Sequence, residues 1–192
     1  MAVSTTTPPR VRRFTVSEYH RMAEAGILGE DDPVELLDGH LYVMSPIGSQ
    51  HADCVDRIAR LFFTTVEPED ARVRVQNPIL LDPTSEPEPD VALVAPKDTY
   101  AARHPRPDEV LLVVDVAAST LAFDRDVKLP LYARAGIPEA WIVALDEDQM
   151  HVYRRPEGDR YRKHTTHERG DTLAVQALPD AGPFAVKDVL GA

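Results

Sequence analysis

The chain has 192 residues, 43% of them hydrophobic and 28% charged, a balance that excludes extended disorder and suits an ordered fold with a sizeable core. The net charge of −11 argues against a general affinity for nucleic acid while leaving room for a local basic groove. One cysteine, Cys54, excludes an internal disulfide, and no stretch approaches a membrane span, so a soluble cytoplasmic protein is expected.

Residues 1–13, MAVSTTTPPRVRR, lack the apolar stretch of a secretory signal and read as a disordered tail; residues 14–192 read as a single domain. Thr15 or Ser17 caps a first helix that runs to about Ala25 and ends at Gly26. Asp38-Gly39, between Val34–Leu37 and His40–Met44, is a hairpin turn. Ser49 opens the clearest helix: Val55, Ile58, Ala59, Phe62, Phe63 and Val66 recur on one apolar face, and Pro68 stops it. Strands are expected at Arg72–Gln76, Ile79–Leu81, Asp90–Val94, Val110–Ala117, Ala140–Leu145, Met150–Arg154 and Tyr161–Thr165. Asp82–Pro89, rich in proline and acid, reads as an exposed turn, and Ala95–Asp108 as a second long turn. A helix fits Asp124–Ala135 if it starts late, near Leu129, or kinks around Pro130, and Gly136 ends it. Pro156-Glu157-Gly158-Asp159 turns a C-terminal hairpin. This order of elements specifies an α/β fold with a mixed sheet.

Two aspartates stand out. Asp115 lies inside the apolar run EVLLVVDV, and Asp90 leads into the apolar Val91–Val94. A carboxylate in a buried strand is unfavourable unless it is paired or holds a cation. If the two strands are neighbours, the carboxylates converge and repel, and a divalent cation relieves that repulsion. Hard oxygen ligands suit magnesium or manganese. A water on that cation, with Lys128 nearby to stabilise charge, has the chemistry to attack a phosphodiester. The plainer reading pairs Asp115 with an arginine and leaves Asp90 to cap a turn.

Other groups have a plain reading beside the functional one. His51 reads as a buried, hydrogen-bonded histidine at a helix start, with orientation of a carboxylate or contact with phosphate as the alternative. Tyr132, one helical turn after Lys128, reads as core. Trp141 reads as core or interface, Ser119-Thr120 as a cap, and Arg125 as a solvated helix face. The basic clusters Arg10, Arg12 and Arg13, Arg72 and Arg74, and Arg154, Arg155, Arg160, Arg162 and Lys163 read as solvated faces, with phosphate contact as the alternative for the last. His104, His151, His164 and His167 lack zinc-motif spacing, and there is no P-loop or glycine-rich dinucleotide turn.

Glu35-Leu36-Leu37-Asp38-Gly39 resembles the early hairpin of the Uma-two family of restriction-endonuclease-like proteins. So do Ser45-Pro46 with His51 opening a helix, the run Ser85 to Val91, Val113 to Val116 with Ser119-Thr120, and the run Asp124 to Trp141. That family is similar to the PD-(D/E)XK nuclease superfamily. The resemblance implies a restriction-endonuclease-like central mixed β-sheet flanked by helices, with N-terminal and C-terminal β-hairpins. It also implies magnesium-dependent cleavage of DNA and a homodimer. Asp90 matches the first aspartate of the superfamily pattern and Asp115 the second acid, one methylene shorter than the common glutamate. Ala117 stands where the usual lysine would be, and Lys128 matches the lysine moved to the following helix. Glu35 matches the acid of the hairpin. The expected catalytic set is therefore Asp90, Asp115, Lys128 and Glu35. The expected metal ligands are Asp90, Asp115, Glu35 and the backbone carbonyl near Val116. A nuclease-fold protein without hydrolytic activity, binding nucleic acid or self-associating, is the competing expectation. An enzyme acting on a small phosphorylated metabolite is a third.

Overall fold

A computed structural model describes residues 10–29 and 32–191; the expected disordered tail falls, up to residue 9, outside the described residues. The first helix, α1 (Val16–Glu24), is fixed at its start by a capping box. The Thr15 hydroxyl accepts from the Glu18 amide at 3.2 Å, and the Glu18 carboxylate accepts from the Thr15 amide at 3.0 Å. Strands β1 (Val34–Leu37) and β2 (His40–Val43) form the expected hairpin. Asp38 and Gly39 both have positive φ, 47° and 76°, the geometry that a tight two-residue hairpin requires. A Cβ on Gly39 would lie 2.5 Å from Arg13 Cβ, so the preceding chain crosses this turn only because the residue is glycine.

Helix α2 (Ser49–Thr65) follows. Gly48 occupies the cap position, so Ser49 is the first helical residue rather than the cap. Val55, Ile58, Ala59, Phe62 and Val66 are buried as the spacing predicts, with Cys54 beside them, but Phe63 is 63% exposed.

The main sheet has six strands in the order β3-β4-β5-β6-β7-β8, numbered along the chain: Arg72–Val75, Val91–Val94, Val110–Ala117, Glu139–Ala144, Gln149–Glu157 and Arg160–His167. Only β5 and β6 run parallel. A parallel pair needs a crossover, here a helical segment of α3 (Leu121–Phe123), a π-helical turn (Asp124–Lys128) and α4 (Leu129–Ala135). The wide turn is closed by the Leu129 amide donating to the Asp124 carbonyl, five residues back. Pro130 then sits in the first turn of α4, where its missing N–H leaves no gap. The choice between a late start and a kink thus resolves into helix on both sides of a bulge. A two-stranded pair, β9 (Thr172–Leu173) with β10 (Phe184–Ala185), and a short helix α5 (Val186–Leu190) complete the chain.

The sheet is apolar on both faces. On one, Leu93, Leu112, Val114 and Trp141 pack with Phe62 of α2 and with α5. On the other, Ala92, Val113 and Ile142 pack with Leu131 and Tyr132 of α4. Period-two alternation places Asp115 with Val113 and Ala117 on the α4 face.

Three expectations are corrected. Asp82–Pro89 is not an exposed turn: Ser85, Glu86, Pro87 and Pro89 are buried. This segment is stitched to the hairpin, with the Glu86 amide donating to the Leu36 carbonyl at 2.7 Å and the Gly39 amide to the Thr84 carbonyl at 2.8 Å. Ile79 and Leu81 are buried, but Ile79–Leu81 is not a strand of a sheet. Its amides donate to the Pro87, Pro105 and Ser85 carbonyls, which leaves no ladder to join. The C-terminal hairpin is longer than expected, because β7 and β8 stay paired out to Glu157 and Arg160. Beyond Arg154, strand β7 has no β6 neighbour, so Pro156 costs no ladder bond on that side.

Within the last basic cluster, Arg154 is a core residue in function. Glu139 is fully buried and accepts from Trp141 Nε1 at 2.8 Å, Arg154 Nε at 2.8 Å and the Gln176 amide at 2.6 Å. Arg162 is paired with Glu157. Arg154→Ala leaves the Glu139 carboxylate in the core without its cation and is expected to cost about 3–5 kcal/mol in urea unfolding.

Candidate active site

The part-buried 82–89 segment delivers Asp90 to the mouth of the sheet. Val91 pairs with Val114, so Asp90 and Asp115 are the next residues on adjacent strands. There the ladder stops, and the Val116 amide donates to Asp90 Oδ2 at 2.8 Å. The other oxygen, Oδ1, lies 2.7 Å from His51 Nε2 in the first turn of α2. His51 thus orients a carboxylate from a hydrogen-bonded, half-buried position. The Asp90 carboxylate, bonded to it, favours the imidazolium against the opposing effect of burial and raises the histidine pKa.

Asp115 is 3% exposed and lies beneath the crossover helix. Lys128, also 3% exposed, ends the π-helical turn with its ammonium 3.0 Å from Asp115 Oδ1 and 3.2 Å from Glu35 Oε1. Glu35, 5% exposed, comes from β1, and its Oε1 also accepts from the Glu88 amide at 3.3 Å. The wide turn matters here, since it turns both Asp124 and Lys128 inward. All four acidic and basic residues of the expected catalytic set therefore border one cavity of about 510 Å³, together with His51, Val116, Thr120 and Asp124. The Val116 N–H is the group that bonds Asp90 there.

The charge balance is lopsided. Among the described residues, Asp32, Glu35, Glu86, Glu88, Asp90, Asp115 and Asp124 line the cavity, and Lys128 is its one lysine or arginine. Burial raises the pKa of Asp115, with Lys128 opposing, and burial likewise raises that of Glu35. Burial alone would lower Lys128, but Asp115 and Glu35 outweigh it and raise its pKa, so the side chain stands as a cation and a hydrogen-bond donor. Tyr132 is fully buried beside the same carboxylates, a core residue, and burial first, then the charge of Asp115, pushes its phenol well above the ordinary value.

Asp124 was not singled out by its sequence context. It lies four residues before Lys128, a spacing that marks a shared helical face. The Thr120 hydroxyl donates to it at 2.8 Å instead of capping the helix. Burial, then the neighbouring Asp115, push its pKa up to about 7. Its folded value exceeds its unfolded one, so between about pH 4 and about 7 the folded protein holds a proton that the unfolded chain releases. The contribution of this group to stability is thus fully present below that window and is lost as pH rises through it. In chelator, Asp124→Asn is expected to flatten this decline and to stabilise the protein at pH 8 by roughly 2–4 kcal/mol, read from melting curves at several pH values.

The donors suit a hard cation: they are all oxygens, the site has a surplus of negative charge, and Glu35 Oε2 is buried without a partner. They do not form a closed cage. Among the described residues, no three His, Cys, Asp or Glu side chains are grouped as a metal-holding set. That is compatible with magnesium, which is commonly held by one or two carboxylates and keeps several waters.

Residues 16–186 match the model of a family, Uma2, whose description is "Putative restriction endonuclease". No match is found among curated proteins. Among solved structures, the chain is similar to "a putative nuclease belonging to DUF820" from Anabaena variabilis, with a TM-score of 0.73 and 15% identity over 92% of this chain and 97% of that one. At that identity the likeness concerns the fold. Among the described residues, no helix is long and apolar enough to cross a membrane.

Proposed function

The chain belongs to the Uma2 family, and from that premise we propose that it is a divalent-metal-dependent endonuclease hydrolysing phosphodiester bonds in DNA. The observation that carries this reading is the meeting of Asp90, Asp115, Glu35 and Lys128, drawn from four separate segments, at one cavity. Magnesium or manganese as the ion, a homodimer as the assembly and the cytoplasm as the setting belong to the same reading.

Asp90 and Asp115 would hold the cation, helped by Glu35 and the Val116 carbonyl. When bound, the cation supplies a Lewis acid and lowers the pKa of an attached water toward neutrality. The protein's own groups do the rest. The Val116 amide and His51 fix both oxygens of Asp90 and so set the direction in which it presents charge. Lys128 keeps its proton and donates hydrogen bonds to charge developing on the phosphate oxygens. Its bonds to Asp115 and Glu35 hold the ammonium in place beforehand. The buried floor excludes bulk water, which strengthens each of these interactions.

Incubation of the protein with plasmid and short DNA substrates tests the reading. Cleavage with magnesium or manganese and none in chelator is expected. The second reading, a nuclease fold that binds without cutting, is favoured by one observation: Lys128 already bridges Asp115 and Glu35, neutralising part of the charge that a cation would balance. It predicts no cleavage with any divalent ion.

A further inference from the structure

Phe63 and the pair Arg72 and Arg74 are left unexplained by the core and by the acidic cavity. They meet at a second cavity, about 590 Å³, that wraps the outer edge of β3 and is also lined by Asn77, Tyr100 and His104. Among the described residues no acidic side chain lines it, in a chain whose net charge is −11. Strand β3 has β4 on one side only, so this edge is open. Alternation sends Arg72 and Arg74 to one face and Val73 and Val75 to the core.

The two guanidinium groups are held but not neutralised. Arg72 Nη1 donates to the Lys97 and Asp98 carbonyls at 3.0 and 3.3 Å, and Arg74 Nη2 to Asn77 Oδ1 at 3.2 Å. None of these partners is a carboxylate. Arg74 Nε is buried with no acceptor, and its guanidinium stands 5.7 Å from the Tyr100 ring centre. The nearby Lys97 and Arg103, by contrast, are both spent on Glu109. Phe63 adds an exposed aromatic face that the helix does not bury.

The groove adjoins the acidic cavity. Gln76 lines the acidic cavity and Asn77 the basic one, and the Gln76 amide donates to the carbonyl of Asp90 itself. Fixed cations beside a free aromatic face are the parts that grip one strand: arginine takes phosphate and the ring takes a base. A duplex keeps its bases stacked inside and offers Phe63 nothing. It is also a thick rod, whereas Asp115, Lys128 and Glu35 lie at the floor of a cavity, each at most 5% exposed.

We propose that this groove binds single-stranded DNA and feeds one phosphodiester of that strand into the adjoining acidic cavity. The direction of feeding rests on the nuclease reading; the binding does not. The test is fluorescence anisotropy with a labelled oligodeoxythymidine and a duplex of equal length, in chelator, so that neither metal nor hydrolysis enters. Expected are binding of the single strand at least tenfold tighter than of the duplex, and loss of at least tenfold in the double variant R72A/R74A with a shallower salt dependence. Phe63→Ala, at an exposed position that leaves the core intact, is expected to weaken binding roughly fivefold to tenfold. Equal affinity for the duplex, no binding of the single strand, or unchanged affinity in both variants with circular dichroism like that of the wild type overturns the proposal. Binding without cleavage under any ion would sink the nuclease reading alone. Cleavage of duplex with no preference for the single strand would sink this inference alone.

Discussion

Asp115→Asn is expected to reduce magnesium-dependent cleavage by roughly a thousandfold, about 4 kcal/mol of transition-state stabilisation, while the protein stays folded. The change keeps the shape of a side chain that is almost wholly buried and removes only its charge. Lys128 retains Glu35 as a partner at 3.2 Å, so the core does not acquire an unpaired ammonium. What is lost is one of the two carboxylates proposed to hold the cation. Asp90→Asn should give a loss of similar size for a second reason. Both Asp90 oxygens accept, from His51 and from the Val116 amide, and an amide group can present only one acceptor to those two donors. Initial rates on a DNA substrate, with manganese compared against magnesium, measure both. Full activity in either variant would remove that residue from the mechanism.

Lys128→Met is expected to have a large, pH-dependent effect on stability. It leaves Asp115 and Glu35 facing each other in the interior with no cation between them, at a cost of about 3–5 kcal/mol. The cost is pH-dependent with a definite sign. Both carboxyls already have raised pKa values from burial, and removing the ammonium that opposes this raises them further. A carboxyl whose folded pKa is raised destabilises the protein above its unfolded value and recovers stability when protonated. The variant should therefore be far weaker than the wild type at pH 8 and close to it near pH 5 in urea titrations. The double variant Lys128→Met with Asp115→Asn should recover much of the loss, because it removes the unpaired charge together with the group that balanced it. A loss that is independent of pH and additive in the double variant would show that Lys128 acts through packing instead.

The sequence discloses the fold best where a local rule and the tertiary structure agree. The Thr15 cap, the Asp38-Gly39 turn and the β5 run each follow from short-range chemistry that packing leaves unchanged. It misleads where tertiary contacts consume backbone groups. Asp82–Pro89 has the composition of a solvated turn, yet the β1–β2 hairpin takes its amides and carbonyls and buries it. Helical periodicity placed Phe63 on the apolar face of α2, but the sheet beneath ends at β3, and the ring is left beyond its edge. In the site, Asp90, Asp115, Glu35 and Lys128 were legible through the Uma-two resemblance and the unfavourable setting of two strand aspartates. Asp124 was not, because its burial depends on the π-helical turn, which a regular 3.6-residue pattern does not reveal.

The account stands on Asp90 and Asp115 being the two carboxylates that would hold the cation. Anomalous diffraction from crystals soaked in manganese measures this most directly. A peak bounded by those two carboxylates, absent from Asp115→Asn crystals soaked identically, is the predicted result. A well-ordered site with Lys128 still seated on Asp115 and no manganese between the two aspartates would contradict it.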